Sequence, residues 1–436
     1  MTSDWFCIQL GAREHYAIPR ALHQQCRLAG LLTEAWAQPG AIAGLLPSRL
    51  LRRVRERFHP DLVTARVADF TFSWLLFEAR HRRSLHGWDL IMERNRWFQR
   101  RVLTALQSAV RRQQVALADS RRVLFAYSYA ALEPFRWAKA QGWTTVLGQI
   151  DPGPVEAEIV ADEHQRYPGL ASQWQAPPPN YWTDWRAECE LADVIVVNSE
   201  WSRKGLAGGG VATEKVHVVP LIYENAPSAA PPRAYPDRFS AVRPLRVLFL
   251  GQVNLRKGVA RVLEAARRLR GEPIEWWLIG PRDFEPSPAE LAEPHWRWIG
   301  PVRRGEVGRY YDEADVFLFP TLSDGFGLTQ LEAQARRLPV IASRYCGTVV
   351  HDGKNGFLLP DVSSEAIAAV VLECVRNPTR LAAMSVCSHV AGEFSPVCVA
   401  AQLSKLVGPQ CLSVSPPSTL RAATTGHTVS PGQAWN

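Results

Sequence analysis

The sequence lacks the features of a membrane-spanning or disulfide-stabilised protein. It contains no run of about 18 apolar residues, so we expect no segment to cross a bilayer. The opening segment, MTSDWFCIQLGAREH, has no basic region followed by a long apolar stretch, so we expect no secretory signal peptide. The eight cysteines form no C-x-x-C pair and no metal-ligand spacing. We therefore expect reduced thiols in a cytoplasmic protein, with no metal site.

Nucleic-acid-binding motifs are also lacking, although the chain is basic, with a formal net charge of +8. The positive charge is concentrated between Arg49 and Arg122, where seventeen arginines face seven acidic residues. Such a surface suits anionic lipid, nucleic acid or a phosphorylated acceptor, and it is equally typical of a solvated helical face. Because no nucleic-acid-binding fold signature accompanies the charge, we expect no nucleic-acid partner.

Short apolar runs alternate with helical patterns along most of the 436 residues, which predicts an α/β protein with parallel sheets. The length suits two domains of about 200 residues each. The stretch between Tyr223 and Pro244 is rich in Pro, Ala and Ser, as is typical of a linker. We therefore predict a first domain over 1–222, a linker over 223–244 and a second domain over 245–407. Residues 408–436 have little apolar content, which predicts a disordered tail.

The most informative stretch runs from Glu313 to Ser343. Its pattern predicts a strand (Val316 to Phe319), a Gly-rich turn (Ser323 to Gly327), a helix (Thr329 to Arg336) and a strand (Leu338 to Ala342). Glycine lets the backbone approach a ligand closely, and the N-terminus of the following helix suits an anion or a hydroxyl. A turn that serves only packing would have the same shape.

Two carboxylates lie in this stretch, Asp324 in the turn and Glu332 in the helix, so placed that they can hold two ends of one polar ligand. Together with Gly325-Phe326-Gly327-Leu328 and the following Leu-Pro-Val-Ile-Ala-Ser, they resemble the signature of the retaining, nucleotide-sugar-dependent glycosyltransferases of family 4. The resemblance implies two Rossmann-like domains that face a cleft, the glycosyltransferase B type. It also implies that Asp324 contacts the donor sugar and that Glu332 holds the ribose hydroxyls. The family usually has glutamate where this chain has Asp324.

A second pattern lies at the start of the predicted second domain. The apolar strand from Arg246 to Leu250 is followed by Arg256 and Lys257, just before a predicted helix. Two cations at a strand–helix junction suit a diphosphate, although such pairs are often surface charges. The resemblance implies that both bind the donor pyrophosphate. It also implies that backbone near Val302 pairs with the nucleotide base.

The first domain contributes weaker signals at the ends of its strands. Gly11, Arg13 and His15 follow the first predicted strand. In the family this loop closes over the donor phosphates, and we give that role to Gly11. We assign Arg13 and His15 to acceptor binding. The alternative is that His15 has only a structural role. Asp151 follows the strand at 144–150, where relatives often carry a histidine beside the reacting carbon; the alternative is a turn residue of the Asp-Pro-Gly sequence.

The resemblance thus implies a metal-independent, retaining sugar transfer from a nucleoside diphosphate sugar, with UDP and GDP sugars expected first and no cofactor. Asp324, Asp151, Arg256 and Lys257 are the catalytic candidates, the first domain holds the acceptor and the second holds the donor. The acceptor expected is a glycan or a lipid-linked glycan of cell-surface polysaccharide or lipopolysaccharide synthesis, reached at the inner face of an anionic membrane. Two other functions fit the same sequence: a non-catalytic nucleotide-sugar-binding protein, and a sugar-nucleotide epimerase or phosphorylase on the same fold.

Overall fold

The computed structural model describes residues 3–37, 57–81, 84–111, 121–170, 174–224 and 230–408. Within these ranges the strands form two parallel sheets. The strands are β1 (Ser3–Gln9), β2 (Leu28–Thr33), β3 (Val67–Asp69), β4 (Arg121–Tyr127), β5 (Thr144–Gln149), β6 (Val194–Val197), β7 (Val216–Val218), β8 (Leu245–Leu250), β9 (Ile274–Ile279), β10 (Trp296–Gly300), β11 (Val316–Phe319), β12 (Val340–Ala342) and β13 (Gly356–Leu358). The first sheet has the order β3-β2-β1-β4-β5-β6-β7, and the second has the order β10-β9-β8-β11-β12-β13.

Helices cover both faces of the two sheets, so each sheet has an apolar cluster on either side. They are α1 (Ala17–Gln24), α2 (Thr71–His81), α3 (Gly87–Arg111), α4 (Leu132–Ala140), α5 (Pro154–Arg166), α6 (Pro179–Leu191), α7 (Glu200–Gly208), α8 (Val259–Arg268), α9 (Pro288–Ala292), α10 (Arg304–Glu313), α11 (Leu328–Ala335), α12 (Ser364–Arg376), α13 (Pro378–Cys387) and α14 (Pro396–Leu406). Central strands such as β6 and β11 are apolar without alternation because both of their faces are buried.

The carboxyl ends of parallel strands lie at one edge of each sheet, and ligands of such sheets bind there. The two observed parallel sheets confirm the predicted α/β architecture. Local signals agree with it: Ser199, for example, accepts a hydrogen bond from the backbone N–H of Ser202 and so caps α7.

The last helix returns to the first domain. Val399, Ala400 and Leu403 of α14 are buried in the apolar cluster that also holds Trp5 of β1. Arg121 Nη1 also donates to the carbonyl oxygen of Val407, at 2.9 Å. The predicted second domain, 245–407, thus includes a helix that packs on the first. The predicted tail from 408 onward lies outside the described residues, apart from residue 408 itself.

Candidate functional site

The loop after β5 and the Gly-rich turn after β11 face each other across the two domains. A Cβ atom built on Gly325 would lie 1.9 Å from the carbonyl oxygen of Ile150. Real Cβ atoms do not approach an oxygen that closely, so only glycine allows the turn to lie against this loop. The side chain of Asp151 follows in the same loop, and Asp324 precedes Gly325. Two of the predicted catalytic carboxylates are therefore carried by segments in contact.

Lys257 and Asp324 form an ion pair at the carboxyl edge of the second sheet. Lys257 ends a single 3₁₀ turn whose Asn254 side chain accepts from the Lys257 backbone N–H. Its ammonium also lies 5.0 Å from the centre of the Phe319 ring. Burial and the neighbouring Arg256 guanidinium lower the pKa of Lys257 to about 7.

Gly258 fixes the position of this lysine. Its φ of +80° lies in the left-handed region, and a Cβ there would lie 2.1 Å from the carbonyl oxygen of Pro320. The chain can therefore pass from the 3₁₀ turn into α8 only with glycine at this position. As a result, the turn that carries the two cations is held directly beside the end of β11.

Arg256 connects the two domains. Its Nη1 donates to the carbonyl oxygen of Ser323 at 3.0 Å and lies 3.7 Å from Oε2 of Glu156, in the first turn of α5. The same Oε2 accepts from the Ser323 hydroxyl at 2.7 Å, and Trp201 Nε1 donates to that hydroxyl oxygen at 3.1 Å. Burial raises the pKa of Glu156, and the Arg256 guanidinium opposes the rise. A cation of the second domain thus meets a half-buried carboxylate of the first.

Asp151 is held in place by three donors to one oxygen. Its Oδ1 accepts from the Tyr129 hydroxyl at 2.7 Å, from Gln149 Nε2 at 2.8 Å and from the Gly153 backbone N–H at 2.9 Å. Trp185 Nε1 in turn donates to Oε1 of Gln149. The carboxylate therefore has a fixed orientation at the edge of the first sheet.

The Gly-Phe-Gly-Leu segment forms the turn into α11. The Phe326 N–H donates to Oδ1 of Asp324 at 3.2 Å, and the buried Phe326 ring packs against Phe394. Gly327 has φ +85° and caps α11, which begins at Leu328. The Asp324 carboxylate therefore contacts both Lys257 and the backbone of the turn that leads into α11.

Glu332 lies one turn into α11 and is partly buried. Its Oε2 accepts from the Tyr311 hydroxyl at 2.8 Å. Burial raises the pKa of Glu332, whereas the Tyr311 hydrogen bond and the charges of Arg304 and Arg336 lower it. Arg304 also contacts Nε2 of His15, so the first-domain loop reaches the same side of the second domain.

That first-domain loop has an unusual backbone. Gly11 has φ +85°, and Glu14, His15 and Tyr16 are three successive non-glycine residues with positive φ. Such residues persist only where their surroundings enforce them, and they concentrate at functional sites. The guanidinium of Arg13 lies 5.4 Å from the Tyr127 ring centre, at the end of β4. The loop is therefore held in one shape beside the cleft.

Val302 lies farther along the second sheet, two residues after β10, and packs on the apolar cluster around Tyr310.

Across the described ranges, no group of three or more His, Cys, Asp or Glu side chains has the arrangement to hold a metal ion. In the same ranges, no helix combines the length and the apolar character needed to cross a bilayer.

Residues 244–377 match the family described as Glycosyl transferases group 1. The matched residues make up less than a third of the chain. The chain is 27% identical over 282 residues to the amylovoran biosynthesis glycosyltransferase AmsK of Erwinia amylovora, and this match covers 58% of this chain and 61% of that protein. It is 31% identical over 231 residues to a D-inositol 3-phosphate glycosyltransferase of Kineococcus radiotolerans, and this match covers 45% of this chain and 52% of that protein. The matches thus span only half to three-fifths of these relatives.

Solved glycosyltransferase structures share the fold over almost the whole chain. Anabaena Alr3699/HepE in complex with UDP superposes with a TM-score of 0.58 at 17% identity, covering 93% of this chain and 99% of that one. Sucrose-phosphate synthase from Thermosynechococcus elongatus gives a TM-score of 0.61 at 16% identity, covering 93% and 98%. The two-domain glycosyltransferase B fold expected from the sequence is confirmed.

Within the matched residues 244–377, the structure brings together Arg256, Lys257, Asp324 and the Gly-Phe-Gly-Leu turn, and the loop that carries Asp151 contacts this turn. Glu332 instead contacts Tyr311, and Val302 packs on the apolar cluster around Tyr310. Sequence reasoning missed Glu156 and Trp201, which connect Arg256 and Ser323 to the first domain. An acidic residue in the first turn of a helix that directly follows a strand end was the available signal for Glu156.

Proposed function

We propose that this protein is a retaining, metal-independent glycosyltransferase that moves a sugar from a nucleoside diphosphate sugar to a glycan or lipid-linked acceptor. The observation that carries the proposal is the Lys257–Asp324 ion pair, with Arg256 bound to the adjacent Ser323 carbonyl, inside the region that matches Glycosyl transferases group 1. Two cations suit a diphosphate, and a carboxylate suits sugar hydroxyls. UDP sugars are the first choice of donor because Alr3699/HepE was solved with UDP and with UDP-glucose.

The transfer breaks the bond between C1 of the sugar and the diphosphate oxygen and forms a bond from C1 to an acceptor oxygen, while the acceptor hydroxyl gives its proton to the departing diphosphate oxygen. Negative charge develops on the departing diphosphate, where Arg256 and Lys257 stabilise it. Because Lys257 contacts Asp324 in the free protein, the donor separates the pair. Lys257 then turns to the phosphate, and Asp324 accepts hydrogen bonds from the sugar hydroxyls.

We assign the remaining donor contacts to the other candidates. Glu332 accepts hydrogen bonds from the ribose hydroxyls, and backbone at Val302 contacts the base. Gly11 lets the first-domain loop approach the phosphates. Gly325 to Leu328 present the helix N-terminus of α11 to the donor.

The first domain supplies the acceptor side. Asp151 is a catalytic candidate because its loop contacts Gly325, and we assign Arg13 and His15 to acceptor binding. A cell-surface glycan is the acceptor class we propose, since the similar protein of Erwinia amylovora is named for amylovoran biosynthesis. The closed contact between the domains would exclude water, which otherwise hydrolyses the donor.

A donor screen tests this proposal. Calorimetric binding of UDP, GDP and ADP sugars is measured on the purified protein, and free nucleoside diphosphate is assayed alongside. We expect binding of one donor class, with slow release of its nucleoside diphosphate, and loss of release in Glu332→Ala. Binding without any release, also in the presence of membrane extract as an acceptor source, would favour the non-catalytic binder.

Donor affinity is expected to fall as the pH rises above 7. Lys257 has a pKa lowered to about 7, so it is charged below that pH and increasingly neutral above it. UDP-glucose has no phosphate proton to lose between pH 7 and 9, so the titration of lysine dominates. Affinity should weaken by up to about tenfold per pH unit above 7.

Isothermal calorimetry between pH 7 and 9 measures the donor affinity. Because arginine stays charged, Lys257→Arg should flatten the profile, and an equal slope in both proteins would contradict the assignment.

A lipid-linked acceptor would bring the protein to the inner face of an anionic membrane, and we propose that α2 makes this contact. The helix buries Thr71, Trp74 and Phe77 but leaves Phe72 and Leu76 75% and 55% exposed, one helical turn apart. Exposed large apolar side chains beside cations are typical of surfaces that bind membranes. Part of the basic region, 49–56, 82–83 and 112–120, lies outside the described residues.

Vesicle co-sedimentation tests the membrane contact. The protein should sediment with phosphatidylcholine vesicles that contain phosphatidylglycerol, and the double variant Phe72→Ser, Leu76→Ser should lose most of that binding. Val242 is 96% exposed elsewhere in the chain, so Val242→Ser is the matched control. Sedimentation that is unaffected by anionic lipid, or by the double variant, would rule out this surface.

A further inference from the structure

A cavity of about 230 Å³ lies between the first domain and the start of the second. One wall consists of aromatic side chains from α3, α6 and the segments around them: Trp88, Tyr129, Trp174, Tyr181 and Trp182. The opposite rim is polar and includes Asp151, Glu156, Asn254, Arg256 and Asp283. An aromatic wall facing hydrogen-bonding groups suits a sugar ring, whose C–H faces are apolar and whose edge is hydroxylated.

The aromatic wall has a defined geometry. Tyr181 stacks on Tyr129 with ring centres 4.6 Å apart and planes 15° apart, and it meets Trp88 edge-on at 4.8 Å. These rings are partly exposed, whereas the neighbouring Trp185 is completely buried in the core. The rings at the wall therefore leave apolar faces open to the cavity. Open apolar faces are not needed for packing of the core.

The fold holds this wall in a strained conformation. Tyr129 has φ +75°, in the left-handed region that a tyrosine rarely adopts. The buried carboxylate of Glu188 accepts from the backbone N–H groups of Tyr129, Ala131 and Leu132, which fixes the turn. In this conformation the Tyr129 hydroxyl reaches Asp151 while its ring forms the wall. Such enforced strain indicates a functional requirement at the cavity.

The donor cluster, which consists of Arg256, Lys257, Asp324 and the Gly-Phe-Gly-Leu turn, reaches the cavity through Arg256. Neither Lys257 nor Asp324 lines it, and the Arg256–Glu156 contact forms the wall that the two sites share. The cavity is smaller than the roughly 300–1,000 Å³ of pockets for drug-sized ligands, so it suits a single ring. Resting on the transferase function proposed above, we infer that this aromatic cavity binds one sugar ring of the acceptor beside the bound donor.

Saturation-transfer difference NMR tests the inference without any need for turnover. The probes are the methyl α-glycosides of glucose, galactose and mannose, with hexanol as an apolar probe. We expect saturation of the ring C–H protons of at least one glycoside, undiminished by saturating UDP. The signal should disappear in Tyr181→Ala but persist in Lys257→Ala. It should also persist in Trp137→Ala, an aromatic truncation on α4 away from the cavity.

The outcomes separate this inference from the proposed function. Saturation of hexanol alone, no glycoside signal, or a signal that UDP removes would overturn the sugar assignment. Calorimetry of Tyr181→Ala with the nucleotide should show unchanged affinity, because the donor cluster is intact. If the wild-type protein releases no nucleotide but still shows the glycoside signal, the transferase proposal fails and the sugar site remains.

Discussion

Lys257→Ala is expected to lower kcat for sugar transfer by about 10²–10³-fold, because removal of one preorganised charge at a developing anion has effects of this size. The loss follows from the position of the ammonium beside the end of β11, fixed by Asn254 and Gly258. The donor affinity should fall as well, since Lys257 contacts the diphosphate before and during departure. Steady-state release of the nucleoside diphosphate measures both quantities.

A control is needed because truncation also leaves Asp324 without its partner. Lys405 is exposed on α14, far along the chain from the donor cluster, and Lys405→Ala should keep wild-type kinetics. Thermal unfolding of both variants shows whether the fold is retained. Equal kcat in wild type and a folded Lys257→Ala would remove the lysine from the mechanism.

Gly325→Ala is expected to abolish most activity while the protein stays folded. The added methyl group would lie 1.9 Å from the Ile150 carbonyl oxygen, so the turn and the first-domain loop must move apart. A shift of about 1 Å in reacting groups costs about 10²-fold in rate. Nucleotide affinity should change much less, because Arg256 and Lys257 remain on the second domain. The measurement is kcat for transfer alongside calorimetric affinity for UDP.

Gly305 offers a matched control for this substitution. It lies in α10, and no atom within 4 Å would meet a Cβ built there. Gly305→Ala should therefore keep full activity and stabilise the protein by about 0.4–1 kcal/mol, the usual effect of alanine at an unstrained helical glycine. Full activity in Gly325→Ala would show that the contact between the loops is unnecessary for transfer.

Sequence patterns predicted the centre of the second domain well. The strand Val316–Phe319 has the predicted bounds, and α11 begins one residue before the predicted start. An unbroken apolar run and a glycine turn specify such an element locally. The pairing of Lys257 with Asp324 was accessible only as two separate motifs, because their contact depends on the order β8-β11 in the sheet.

The first domain was harder to predict. There, α1 ends at Gln24 and β2 begins at Leu28, with only three residues between them. The left-handed backbone at Cys26 separates them, and no glycine signals it. Likewise, the contact of Glu156 with Arg256 joins residues of different domains, and such contacts follow from tertiary packing rather than from local pattern.

Sugar transfer from a labelled donor is the measurement that tests the proposed function most directly. The donor identified by binding is supplied with a radiolabelled sugar, and membrane extract provides the acceptors. We predict that the wild-type protein moves label into glycan or lipid-linked material, with the anomeric configuration retained, and that Lys257→Ala does not. Tight donor binding with no label transferred by the wild-type protein would contradict a glycosyltransferase and leave a nucleotide-sugar-binding protein.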